Sequence, residues 1–363
     1  MEEYYLMWLS RFMVHQGNKA RSLISYFGSA EEIWRARPEK LRACPYISPK
    51  LADTLLANRD GTQLDEWIGE LEEKEIRFYS LYHPEYPSLL KEIHNPPFGI
   101  YVKGTLPEDE IDKVGVIGAR RCSQYGASVA YRMTKELGRT NVIVVSGMAR
   151  GVDSMGHKGI MDGGGRTIAV LGCGVDVCYP AENRELMERI MDNGCVISEY
   201  PPQTPAIPYH FPYRNRIIAG LCKMIVVVEA GKKSGTLITA DLALENGRDV
   251  FVVPGNVTSA LSEGTNNLLK QGCPAITESG DILFELGISY KEGEKEKFRK
   301  KVAANLSPEE QEIYGLISET EPITAEEIGR KLERNIQDVQ YMLSLLEISG
   351  HIQKLRQAGY IRQ

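Results

Sequence analysis

The chain has 363 residues, 42% hydrophobic and 25% charged, with a formal net charge of −6 at pH 7. That length holds two or three domains, and the composition is that of a water-soluble globular protein. No run approaches the roughly 20 apolar residues of a membrane span, and Glu2 and Glu3 stand where a signal peptide would carry bases. A cytoplasmic protein with no membrane partner is expected. The 7 cysteines (Cys44, Cys122, Cys173, Cys178, Cys195, Cys222 and Cys273) are odd in number and scattered, with no C-x-x-C and no H-x-x-x-H partner. This argues against a disulfide framework and a structural zinc site, and the cysteines read as small buried core residues.

Residues 1–85 read as short helices. Leu6, Trp8, Leu9 and Phe12 form one apolar stripe, Leu23, Ile24 and Phe27 another, and Leu64, Trp67, Ile68 and Leu71 a third. The turns near Gly17 and Pro45–Ser48 allow helix–hairpin–helix elements that touch DNA backbone; a plain helical scaffold is the competing reading. Pro84, Pro87, Pro96 and Pro97 read as a linker and entry to the next domain.

Residues 86–286 alternate between short β-branched runs and helical segments. The runs are 114–117, 142–146, 167–171, 195–200, 224–229 and 249–253, with a further candidate at 275–277. Continuous apolar strands separated by helices predict a doubly wound, Rossmann-like parallel sheet covered on both faces. Residues 287–304 form a charged linker. From 305 to 363, Ser307-Pro308-Glu309-Glu310 has the form of a helix N-terminus. Two more helices and two short strands, from Gly350 and from Gly359, complete a winged-helix pattern. From Val302 onward 6 bases face 10 acids, a balance of −4 that suits protein interaction better than phosphate contacts.

A doubly wound sheet binds ligands beyond the carboxyl ends of its strands. The first tip, Gly118-Ala119-Arg120-Arg121, offers a tight turn, backbone N–H groups at a helix start and two guanidinium groups, which together suit an anion. The second, Ser146-Gly147-Met148-Ala149-Arg150-Gly151-Val152-Asp153, adds another arginine, with Asp153 expected to cap or hold Arg150. Phe211-Pro212-Tyr213-Arg214-Asn215-Arg216 interleaves rings and guanidinium groups, as stacking on bases and holding a single-stranded backbone require. A further tip, Lys232-Lys233-Ser234-Gly235-Thr236, is similar to a Walker A loop, but Val226 stands where that motif has its first glycine. No G-x-G-x-x-G is present and the second strand ends in Ser146-Gly147 without an acid, so no nucleotide cofactor and no metal are expected. Residues 111–280 carry 18 bases against 16 acids, making this region slightly positive inside an acidic chain.

The strings S-G-M-A-R-G-V-D, F-P-Y-R-N-R-I-I-A-G-L, S-G-T-L-I-T-A and P-G…E-G-T-N-N-L-L, in this order and spacing, resemble the signature of the DNA-processing protein A (DprA/Smf) family. The resemblance spans the central region, and the flanking helical and winged-helix regions fit it. It implies a non-enzymatic protein that binds and protects single-stranded DNA in natural transformation and helps load the RecA recombinase. It also implies a homodimer formed through the central domain, with Leu268 and Leu269 as candidate dimer residues. The family's G-S-R phosphate motif falls on Gly118-Ala119-Arg120, with Ala119 in place of the serine; Arg120 inherits the main DNA contact, and Arg214 and Arg216 further phosphate contacts. Tyr213 or Phe211 becomes the base-stacking ring. Two other functions stay open. One is a nucleoside-monophosphate phosphoribohydrolase using Glu229 or Glu199 as acid or base. The other is a winged-helix regulator reading duplex DNA.

Overall fold

The computed structural model describes residues 2–288, 306–318, 322–348, 352–355 and 359–362. Apart from Gly287 and Ile288, the predicted linker lies outside these, as do Gly350, His351 and Arg356. The chain divides into two compact units, Met1–Leu286 and Gly287–Gln363.

The first unit is built on an eight-stranded sheet: β1 (Ile76–Ser80), β2 (Gly99–Gly104), β3 (Lys113–Ile117), β4 (Ile143–Ser146), β5 (Thr167–Val170), β6 (Gly194–Ser198), β7 (Met224–Val227) and β8 (Asp249–Val252). Their order is β1-β2-β6-β5-β4-β3-β7-β8. All pairings from β6 to β8 are parallel, whereas β1 pairs antiparallel with β2 and β2 antiparallel with β6. The doubly wound fold is as expected. Strands β3 to β7 are buried along their whole length, which explains their continuous apolar runs. The stretch 275–277 contributes only an isolated parallel bridge, Val252 to Ala275.

The antiparallel pair β1–β2 is a departure from the sequence reading, which ended a helical domain at residue 85 and read the prolines as a linker. Pro96 and Pro97 only precede β2, where a missing N–H costs the ladder nothing. Phe98, Ile100, Tyr101 and Val102 behind them are fully buried. The sheet therefore begins at Ile76, and the helices before it pack into the same unit. Trp8 on the helix Glu2–Phe12 is completely buried, and its indole N–H donates to Asn58 O at 2.9 Å. Gly17 opens the next helix because any Cβ there would collide with the Pro96 carbonyl.

His157, on the helix Val152–Asp162, is fully buried. The Thr167 hydroxyl donates to Val144 O at 2.7 Å, so at 2.7 Å from His157 Nδ1 it can only accept, which fixes the ring proton on Nδ1. Nε2 is buried without a partner, and burial pushes the imidazole down to about 3. Below the ordinary value near 6.5 the unfolded chain takes up a proton that the folded one refuses, so stability present above pH 6.5 is lost as pH falls toward 3. Thermal melts from pH 7 to pH 5 should show a falling midpoint, and His157→Gln should flatten that decline; parallel slopes would exclude His157 as the cause.

The second unit has helices Pro308–Leu316, Ala325–Leu332 and Ile336–Ile348 and the antiparallel strands β9 (Ile352–Leu355) and β10 (Gly359–Arg362). Reciprocal capping boxes, Ser307 with Glu310 and Thr324 with Glu327, start the first two helices. Ile313, Ile328, Val339, Leu343 and Leu346 form its core. This is the expected winged-helix order. No helix among the described residues is long and apolar enough to cross a membrane.

Candidate nucleic-acid interface

Strand order reverses between β3 and β7, the place where an open parallel sheet leaves a crevice at its carboxyl edge. A groove of about 550 Å³ opens there. Of the residues expected at the site, it brings together Gly118, Ala119, Arg120, Arg121, Ala149, Phe211, Arg214, Asn215, Ser234, Gly235 and Thr236. Ser146, Gly147, Arg150, Tyr213, Arg216, Lys232 and Lys233 do not line it, although the exposed Lys232 and Lys233 sit between Gly231 and Ser234, which do.

The two tips meet closely. Val152 N donates to Ala119 O at 3.3 Å, and Gly151, at φ +75°, leaves room for the Ala119 and Arg120 backbone where a Cβ would not fit. Arg120 and Arg121 are exposed. The Arg120 guanidinium stands 5.3 Å from the centre of the Phe211 ring, which also has Tyr179 at 5.2 Å and the Arg214 guanidinium at 6.0 Å. A cation, a ring face and a flanking tyrosine thus share one wall. Asp153 is the groove's single carboxylate among the described residues.

Several assignments change. Arg216 is buried and gives both Glu199 oxygens a hydrogen bond at 2.8 Å, so it is an internal ion pair and not a phosphate contact. Arg214 is also buried, donating to Gly147 O at 2.8 Å and to Val170 O; desolvation pushes it down to about 10, with the nearby Asp153 opposing the shift. Its role is to hold strand ends. Tyr213 does not line the groove and is stacked on His15 at 4.2 Å, so of the two candidate rings Phe211 alone lines it. Arg150 pairs with Glu182 instead of Asp153. Asp153 accepts from Gly147 N at 3.1 Å and Ala149 N at 3.4 Å, and burial raises its carboxyl. Leu268 belongs to the sheet core and Leu269 packs partly against it, which takes Leu268 out of any dimer surface.

The helix Gln124–Leu137 after the first tip does not present its N-terminus to an anion. Ser123 Oγ accepts from Gly126 N at 3.1 Å, and the buried Glu229 carboxylate accepts from Ser123 N at 2.8 Å, so this end is already capped and neutralised. An anion at this tip would therefore have to be held by side-chain cations. Both carboxylates weighed for acid–base work, Glu229 and Glu199, are likewise engaged inside the fold. The sequence reading passed over the third tip, beyond β5. Tyr179 comes from that tip, and the strand-end rule applied there would have found it.

The sequence profile of DNA recombination-mediator protein A matches residues 77–287, and that of the DprA winged helix domain matches residues 299–357. The chain belongs to the DNA recombination-mediator protein A (DprA) family. It is 40% identical to DNA processing protein DprA of Streptococcus pneumoniae over 223 residues, 61% of this chain and 79% of that protein. The X-ray structure of S. pneumoniae DprA superposes with a TM-score of 0.67 at 32% identity, covering 78% of this chain and 97% of that one. A Helicobacter pylori DNA processing protein A structure, concerned with that protein's single-stranded DNA binding mode, gives a TM-score of 0.53 at 28% identity, covering 60% of this chain and 98% of that one. The DprA-family match begins at Arg77, inside β1, in keeping with a sheet that starts before residue 85.

Proposed function

We propose that this DprA-family chain binds single-stranded DNA through its phosphates along the β3–β7 groove, without catalysing a reaction, and delivers the strand to a RecA-type recombinase during transformation. In this reading it works in the cytoplasm as a homodimer joined through the sheet unit. The observation that carries the DNA contact is the pairing of exposed Arg120 with the Phe211 face at the strand-order switch, flanked by Arg121, Lys232 and Lys233. Cations track a backbone and a ring takes an unstacked base, which a duplex does not offer. The H. pylori relative's binding to single strands supports the same ligand class, and the recombination-mediator family supports the recombinase as recipient.

Fluorescence anisotropy with one oligonucleotide, single-stranded and annealed, tests this. Single strands should bind more tightly, with affinity falling steeply as salt rises; equal affinity for the duplex would sink the reading. Ending the chain at Leu286, where the first compact unit closes, removes residues 287–363, which carry 12 bases against 13 acids, and should change single-strand affinity less than about threefold. A large loss of affinity would return DNA contact to the wing.

A further inference from the structure

Beside the groove lies a second cavity of about 460 Å³ with a different chemistry. The two share a wall: Arg121 and Leu261 line the groove, while Ser123 and Ser262 line the cavity. No lysine or arginine lines it among the described residues, and its lining includes the carboxylate residue Glu229, which is 2% exposed. Tyr125, 50% exposed, is also part of its lining, and Val257, 86% exposed, follows the lining residue Asn256 in the chain. A phosphate is excluded from such a place by the carboxylate, whereas a flat, neutral ring rich in hydrogen-bond donors fits it.

We propose that this cavity is a nucleobase pocket that selects guanine from a strand whose phosphates lie in the groove, an inference that rests on the single-stranded DNA reading above. Arg121 and Ser123 are two positions apart, a span of at most roughly 7 Å that matches the reach from a phosphate to its base. Each Glu229 oxygen takes one hydrogen bond from Ser123 and keeps a second lone pair. Guanine N1–H and the N2 amino group are adjacent donors that match those two oxygens; thymine has a single ring N–H and no amino group. Asn256 Oδ1 accepts from Thr258 N at 3.0 Å and from its hydroxyl at 2.8 Å, which leaves the amide N–H₂ to donate to guanine O6. Tyr125 and Val257 supply the apolar faces, with Tyr125 held in place by its hydroxyl donating to Pro254 O at 2.9 Å.

Anisotropy with the full chain compares a short all-thymine strand with the same strand carrying one central guanine. The guanine strand should bind roughly tenfold more tightly, the discrimination of one bidentate base contact. Glu229→Gln preserves a pairing with Ser123, accepting from its N–H and donating to its hydroxyl, yet breaks the match to guanine; it should remove the preference and leave the all-thymine affinity in place. Ser259→Phe puts a ring into the cavity from a lining residue that takes no part in the helix cap, and should do the same. Equal affinity of the wild type for both strands, or a preference that survives both substitutions, overturns the pocket while all-thymine binding keeps the groove. Failure of either strand to bind overturns the groove reading and this one with it.

Discussion

Replacing Arg120 with alanine should weaken single-strand binding by roughly 10- to 100-fold whatever the sequence, the worth of one charge-assisted contact to a phosphate. The slope of log affinity against log salt should become shallower by about 0.7, one phosphate contact fewer on a single strand. Arg120→Lys separates charge from shape: the ammonium should restore the slope while affinity stays reduced, because only the planar guanidinium can meet two phosphate oxygens at once beside the Phe211 ring. Equilibrium titrations at three or more salt concentrations provide the check. An alanine variant with wild-type affinity and slope would remove Arg120 from the interface.

Arg216→Ala should act on the fold instead. Glu199 is 4% exposed and would keep the His15 backbone N–H at 3.0 Å while losing both guanidinium bonds. Stranding one member of a buried pair costs about 3–5 kcal/mol, a drop in Tm on the order of 10 °C for a unit of this size. The double variant Arg216→Met, Glu199→Leu removes the stranded charge and should recover most of the loss. Differential scanning calorimetry measures both. A single variant that melts like the wild type yet fails to bind DNA would reinstate Arg216 as a phosphate contact.

Arg214 and Arg216 mark where sequence stopped being informative. In F-P-Y-R-N-R the arginines look equivalent, but the helix His210–Leu221 turns Phe211 and Asn215 toward the groove and Tyr213 toward His15, and it sinks both guanidinium groups into the protein. Burial of a charge depends on a partner brought from elsewhere in the chain, here Glu199 for Arg216 and the ends of β4 and β5 for Arg214, and no local pattern encodes it. The parallel strands were legible because each is buried on both faces and reads as an unbroken apolar run. Strand β1 was not: Arg77 is exposed, Phe78 only partly buried, and the strand gains its partner from a segment behind two prolines. That Arg120 and Phe211 would lie together at the groove was legible because strand tips at a switch point face solvent whatever surrounds them. The anion-binding helix end was misjudged because its neutralising carboxylate, Glu229, lies 106 residues from Ser123.

One guanidinium, that of Arg214, closes the ends of both β4 and β5 from the helix that carries Phe211. Gly147 has no side chain because that space is occupied by the same group. The helix cannot tilt without releasing two strand ends at once, so the wall of the groove is a fixed rail. Ordering on association then falls on the nucleic acid, a flexible polymer threaded onto a template that is already set. Capture should be limited by electrostatic encounter, and strands of different length should meet the same rail.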